Sequence, residues 1–179
     1  MDGVVTRKAE LRDLEDVVGL AVEFQLHHEA SNPRVWRITE QGRRELRSEA
    51  LRMLANPGAR ILVAESEGKV VAFASGEIQR RDTYTPKSIG QISRIFVKRE
   101  HRRHGIATCL VKQLCDFFAS GGVEEVTLNY IIGNREAEEL WSRLGFEPVR
   151  ISANQRLARL VETVGLDPLT RSTNPKSNL

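Results

Sequence analysis

The apolar positions along the chain change their period repeatedly, and each change predicts an element. Val4–Arg7 reads as a short strand. Leu14, Val17, Val18, Ala21 and Phe24 recur three or four apart, the spacing of one helix face, and Asp13 stands where the N-cap belongs. Residues 27–39 show no clean period and contain Asn32-Pro33, so they read as a loop. Thr39 is placed to cap a second helix with Leu46, Ala50, Met53 and Leu54 on one stripe, ended by Asn56-Pro57-Gly58. Ile61–Ala64 and Val70–Ile78 are strands joined through the turn pair Glu67-Gly68. Arg81–Lys87 is a polar loop, and Ile89–Val97 is the next strand. Its residues Ile89, Gln91, Ser93, Ile95 and Val97 share one face as long as the alternation is unbroken.

From Gly105 the period becomes helical again through Ile106, Cys109, Leu110, Leu114, Phe117 and Phe118, and Gly121-Gly122 stops it. Val126–Ile132 carries no charge and alternates poorly, as a strand buried on both faces does. Asn134 stands at an N-cap position. Ala137, Leu140, Trp141 and Leu144 form the next stripe, with Gly145 as its C-cap. Phe146–Ile151 and Arg156–Val161 are weaker strand candidates. The order β, α, α, β, β, β, α, β, α, β, β predicts an α/β (α+β) fold with a mixed central sheet of six to seven strands and helices on both faces. The strand–helix–strand unit around Gly105 should be a right-handed, locally parallel crossover.

Composition narrows the class. A chain of 179 residues that is 40% hydrophobic and 28% charged is large enough for one globular domain with a real core. That domain is expected over residues 1–165, followed by a polar, disordered tail over 166–179. The longest run without Asp, Glu, Lys or Arg is Val126–Asn134, far short of the roughly 20 residues of a spanning helix. MDGVVTRKAE lacks the apolar core of a secretory signal. Cys109 and Cys115 form neither a disulfide framework nor a metal spacing, and a cytoplasmic location is expected. The net charge of +3 is too small to argue for nucleic acid. The stripe Arg43, Arg44, Arg47 and Arg52 is interleaved with Glu40, Glu45 and Glu49, as on a solvated helix face with i,i+4 pairs. His101 and His104 with Cys109 match no standard metal site, so no metal is expected.

The position of the basic residues says more than their number. Ile89–Val97 runs into KREHRRHGIA, a basic loop that opens a helix at Gly105. A helix N-terminus leaves about four backbone N–H groups unpaired and carries a partial positive charge, which suits a phosphate. Gly105 lets the backbone approach an anion without a Cβ, and Ala107 keeps the first turn small. Neither G-x-G-x-x-G nor G-x-x-x-x-G-K-[ST] occurs, so dinucleotide and P-loop cradles are disfavoured.

Arg102-x-x-Gly105-x-Ala107, after a strand ending Ile95-Phe96-Val97, resembles the acyl-CoA pyrophosphate loop of the GNAT N-acetyltransferase superfamily. The later segment NREAEELWSRLGF, Asn134 to Phe146, resembles a second element of that family at the right spacing. The resemblance covers roughly residues 3–162. It implies a GNAT fold with a splay between the fourth and fifth strands. In such a splay pantetheine pairs with exposed backbone, here that of Ile95, Phe96 and Val97. It also implies a cofactor loop of Arg102, Arg103, His104, Gly105, Ile106, Ala107 and Thr108, whose N–H groups from Arg103 onward hold the pyrophosphate. Asn134 either contacts pantetheine or caps the last helix. Arg103, Arg99 and Arg135 are alternatives for the adenosine 3′-phosphate.

The implied reaction is acetyl transfer from acetyl-CoA, as co-substrate, to a primary amine of a small molecule or peptide, in a ternary complex. A strand N–H near Phe96 is the expected donor to the oxyanion. Many relatives have a Tyr as general acid where this chain has Trp141, which donates but cannot titrate. Trp141 then either orients the thiolate or packs, and Tyr130 substitutes if it faces the gap. Gln91 and Ser93 occupy positions where relatives carry a basic Glu, so Glu77, acting through water, is the remaining carboxylate. His27, His28 and Glu29 form a polar cluster on the acceptor side, read as solvated. The alternatives are a non-catalytic CoA-binding module of the same fold and a nucleic-acid-binding domain. The amine, the acyl length and a homodimeric assembly stay open.

Overall fold

The computed structural model describes residues 3–165; the polar tail expected from residue 166 lies outside them. Five strands form one sheet in the order β1-β2-β3-β4-β5. They are β1 (Val4–Lys8), β2 (Ala59–Ser66), β3 (Lys69–Arg80), β4 (Ser88–Val97) and β5 (Val126–Leu128). β1 to β4 are antiparallel in succession, and β5 runs parallel to β4 after the crossover through α4 (Ile106–Ser120). The other helices are α1 (Leu14–Ser31), α2 (Pro33–Trp36), α3 (Glu40–Ala55), α5 (Arg135–Arg143) and α6 (Leu157–Thr163). The chain forms two compact units, Met1–Ala137 and Glu138–Leu179. α5 begins in the first and ends in the second.

The mixed α/β architecture is the expected one, with fewer strands than the six to seven predicted. Phe146–Ile151 forms no strand, and the second candidate, Arg156–Val161, is helical from Leu157 onward. Leu157, Leu160 and Val161 are spaced three and one apart, so the helical period was present in that short apolar run. β5 ends at Leu128 rather than Ile132. The predicted loop after residue 27 is instead the last turn of α1, followed by the short α2 with Pro33 at its start, where a missing N–H is harmless.

Several local expectations hold with visible causes. Thr39 Oγ1 accepts from the Gly42 N–H at 3.0 Å and caps α3. Glu67 and Gly68 both have positive φ, which the tight β2–β3 hairpin requires. Asp13 makes no capping bond to α1. Its buried carboxylate instead takes the Arg7 guanidinium in a fork at 2.6 and 2.8 Å and the Glu10 N–H at 2.7 Å.

The sheet is covered on both faces. On one face α1 and α3 pack Leu14, Val17, Leu20, Leu46 and Met53 against Ile61, Val63 and Phe73, with Phe96 at the margin. On the other, Phe118 of α4 lies against the strands where Gly76 and Gly90 leave room. A Cβ on either glycine would meet the Phe118 ring at 2.7–2.8 Å.

Candidate functional site

β4 is interrupted by a bulge. Ser75 of β3 faces Arg94 while Gly76 faces Ile92, so Ser93 is the extra residue. The predicted unbroken alternation therefore fails at Ser93, and Arg94 and Phe96 turn toward the α1/α3 face, in register with Ser75 and Phe73. β5 pairs with β4 only from Gly90↔Val126 to Ile92↔Leu128. Beyond the bulge, Arg94–Val97 continues to pair with β3 but has no β5 partner. The two parallel strands separate at their C-terminal ends, where the splay was expected.

The direction of the strand amides follows from one bond. The Lys98 N–H donates to the Val71 carbonyl at 2.9 Å. Amide directions alternate along a strand, so Phe96 also directs its N–H at β3, whereas Ile95 and Val97 direct theirs at the open edge. The Phe96 N–H, expected to face the splay, thus points the other way, and its two neighbours take that position.

Val97 leads through a 3-10 turn at Arg99–His101 into the loop. Arg103 has φ +67 and Gly105 φ +78, and these two left-handed residues turn the chain sharply into α4. Gly105 provides no capping side chain, and the helical ladder begins with the Cys109 N–H donating to the Gly105 carbonyl at 3.0 Å. The amides of Ile106, Ala107 and Thr108 therefore have no intrahelical acceptor, and the positive end of the helix is presented with them. Thr108 and His104 are exposed and Ile106 is buried.

Arg102 is tied down rather than extended into solvent. Its Nε donates to the Val97 carbonyl at 3.0 Å, its Nη1 pairs with Glu136 at 2.8 Å, and its guanidinium lies 5.7 Å from the Phe96 ring centroid. Asn134 accepts the Ala137 N–H on Oδ1 at 3.3 Å, the expected cap of α5, and its Nδ2 is 3.3 Å from His27 Nε2. Residue 27 of α1 thus reaches the segment that follows β5.

The other expected residues lie on separate elements. Glu77 lies on β3 opposite Gln91 and accepts from Gln79 at 3.3 Å. Four strand positions, about 13 Å, separate it from Phe73, the partner of Phe96. Tyr130 is half-buried just past β5. Trp141, in the second unit, is buried with Phe146 edge-on at 5.3 Å. Among the described residues no group of three or more His, Cys, Asp or Glu side chains is arranged to hold a metal ion. No helix among them is long and apolar enough to cross a membrane.

A polar cluster on the α1/α3 face was not legible as a unit. Arg94 forks onto Glu49 of α3 at 2.7 and 3.0 Å, so Glu49 does not belong to the intrahelical pairing its sequence spacing suggested. Ser75, opposite Arg94, is 2% exposed, and its Oγ has no partner among the described residues. His28 of α1 is half-buried between Phe24 and Trp36, at ring distances of 4.2 and 6.2 Å. Its burial, and then its neighbours His27 and Arg94, hold its pKa below the ordinary histidine value. The only sequence signal was an arginine inside an otherwise uncharged strand.

This arrangement of bulged strand, splay and glycine-headed helix agrees with the sequence comparison: residues 23–146 match the Acetyltransferase (GNAT) family. The chain belongs to that family. Human N-acetyltransferase 8 is 35% identical over 108 residues, covering 60% of this chain and 47% of that protein. The chain thus spans about half the length of that relative. A predicted acetyltransferase from Clostridium acetobutylicum, solved with acetyl-CoA, superposes with a TM-score of 0.70 at 19% identity, covering 87% of this chain and 97% of that one. The aminoglycoside acetyltransferase AAC(6')-Iy, solved with a bisubstrate analogue, gives 0.67 at 17% identity, covering 86% and 97%. At such identities these likenesses show the GNAT fold.

Proposed function

We propose that the protein transfers an acetyl group from acetyl-CoA to a primary amine by direct attack in a ternary complex. The observation that supports this most is the pairing of an open β4 edge at Ser93–Val97 with an uncapped, glycine-headed α4 directly after it. An extended amide-bearing arm ending in a diphosphate needs those two features in that order.

In this reading the amides of Ile106, Ala107 and Thr108 hold the diphosphate, helped by the backbone of Arg103, His104 and Gly105. Arg102 keeps the loop on the strand end, and Arg103, Arg99 or Arg135 meets the 3′-phosphate. The backbone of Ile95 and Val97 pairs with the pantetheine arm, and one of their N–H groups replaces Phe96 as the donor to the developing oxyanion. The acceptor arrives as an ammonium and must lose a proton before its nitrogen can attack. Glu77 through water and His28 are the two groups on the acceptor face able to draw it. A thiolate with an ordinary pKa near 8.5 leaves without an obligatory acid, which makes a role for Tyr130 dispensable.

The test is release of free thiol from acetyl-CoA in the presence of an amine panel spanning polyamines, amino acids, aminoglycosides and peptides. Thiol release dependent on one amine class supports the transferase. Tight CoA binding without release on any amine supports instead a binding module of the same fold.

A further inference from the structure

Within the transferase reading above, on which it rests, the placement of α1 singles out one side chain. His27 touches Asn134, which follows β5, and the next residue, His28, is close enough to Arg94 of β4 to feel its charge. Residues 27 and 28 therefore straddle the separation of β4 and β5, on the face to which Arg94 and Phe96 turn. Phe24 at 4.2 Å and Trp36 at 6.2 Å fix the plane of the His28 ring. No hydrogen-bond partner among the described residues occupies either ring nitrogen. We propose that the His28 imidazole is the base that takes the proton from the acceptor ammonium.

The surroundings suit that task. His28 is acted on by His27 from its own helix and by Arg94 from β4. Arg94 is pinned by Glu49 of α3, β3 contributes the uncharged Ser75 opposite Arg94, and α2 contributes the Trp36 ring. Glu29, on the same helix, is engaged by the Ile38 N–H and Arg37. Burial first, and then the neighbouring His27 and Arg94, favour the neutral imidazole. One ammonium proton passes to His28 and then to solvent. The nitrogen lone pair forms the C–N bond as the carbonyl π electrons move to oxygen. Collapse breaks the C–S bond, and the departing thiolate takes the second nitrogen proton. The products are the N-acetyl amine, free CoA and one released proton.

The experiment is the pH profile of kcat/KM for the best amine of the panel, measured for wild type and His28→Gln. The wild type should level off once pH passes the His28 midpoint, which lies below the ordinary histidine value. The variant should keep rising toward the amine's own pKa. It should be about a hundredfold slower at pH 7, with the gap closing in alkali and KM for acetyl-CoA unchanged. Added imidazole should restore rate to His28→Ala. A wild-type to variant ratio that is constant with pH, or an acid limb removed by Glu77→Gln instead, overturns the assignment while leaving the transferase intact. No turnover by the wild type on any amine overturns both. Should the variants fail to fold, NMR titration of His28 in the wild type decides: a midpoint below the ordinary histidine value supports the assignment, and one at or above it overturns it.

Discussion

Arg102 Nε donates to the carbonyl of Val97, the last residue of the strand that Arg102 follows by five positions. The bond folds the basic loop back onto the β4 end, and the ion pair with Glu136 holds the same guanidinium from the far side of the splay. The bond to Val97 is charge-assisted and worth about 1.5–3 kcal/mol, and the more exposed Glu136 pair adds about 0–1 kcal/mol. Arg102→Ala should raise KM for acetyl-CoA by about tenfold to a hundredfold with a smaller change in kcat. Arg102→Lys should recover only part of it, because an ammonium cannot reproduce the planar fork. Initial-rate kinetics with varied acetyl-CoA measure both.

The Arg7–Asp13 fork ties β1 to the start of α1. The Arg7 hydrogen bonds, with the Glu10 N–H, pull the Asp13 carboxyl below its ordinary value against its burial, while Asp13 and Glu65 raise the Arg7 pKa. A depressed carboxyl pKa contributes stability that is complete above the unfolded value near 3.9 and is lost as pH falls through the folded value. Asp13→Asn should therefore cost about 2–3 kcal/mol at neutral pH. The difference in denaturation midpoint should shrink steadily below about pH 4.

Gly90 and Gly76 make room for Phe118. Gly90→Ala places a methyl at 2.7 Å from that ring, which is itself fully buried. Overpacking of this kind costs about 1–3 kcal/mol, so the melting temperature should fall by about 2–10 °C. Differential scanning calorimetry of Gly90→Ala and the double variant Gly90→Ala/Phe118→Leu checks it, with the second change restoring part of the loss.

Much of this fold could be read from local chemistry. Thr39 before α3, Glu67-Gly68 in the hairpin and Gly105 before α4 each act within a few residues of themselves, so their identity decides the local backbone. The site residues that remained hidden act across long separations. Glu49 and Arg94 meet 45 positions apart, and nothing near Glu49 distinguishes it from its solvated neighbours. The bulge at Ser93 has no marker such as glycine, yet it decides which face Arg94 and Phe96 occupy. The direction of the Phe96 N–H required a tertiary hydrogen bond to establish. Arg156–Val161 misled because so short a run with apolar residues fits a strand and a single helical turn equally well.

The central claim is that the α4 N-terminus holds the diphosphate of acetyl-CoA. Isothermal titration calorimetry with acetyl-CoA on wild type, Gly105→Glu and Gly122→Glu tests it most directly. Gly105 and Gly122 have similar left-handed φ of +78 and +72, so both substitutions carry the same backbone penalty of about 1–2 kcal/mol. The account predicts that Gly105→Glu loses more than a hundredfold in affinity while Gly122→Glu binds as the wild type does, both folded by circular dichroism. Equal affinity for all three proteins would contradict it.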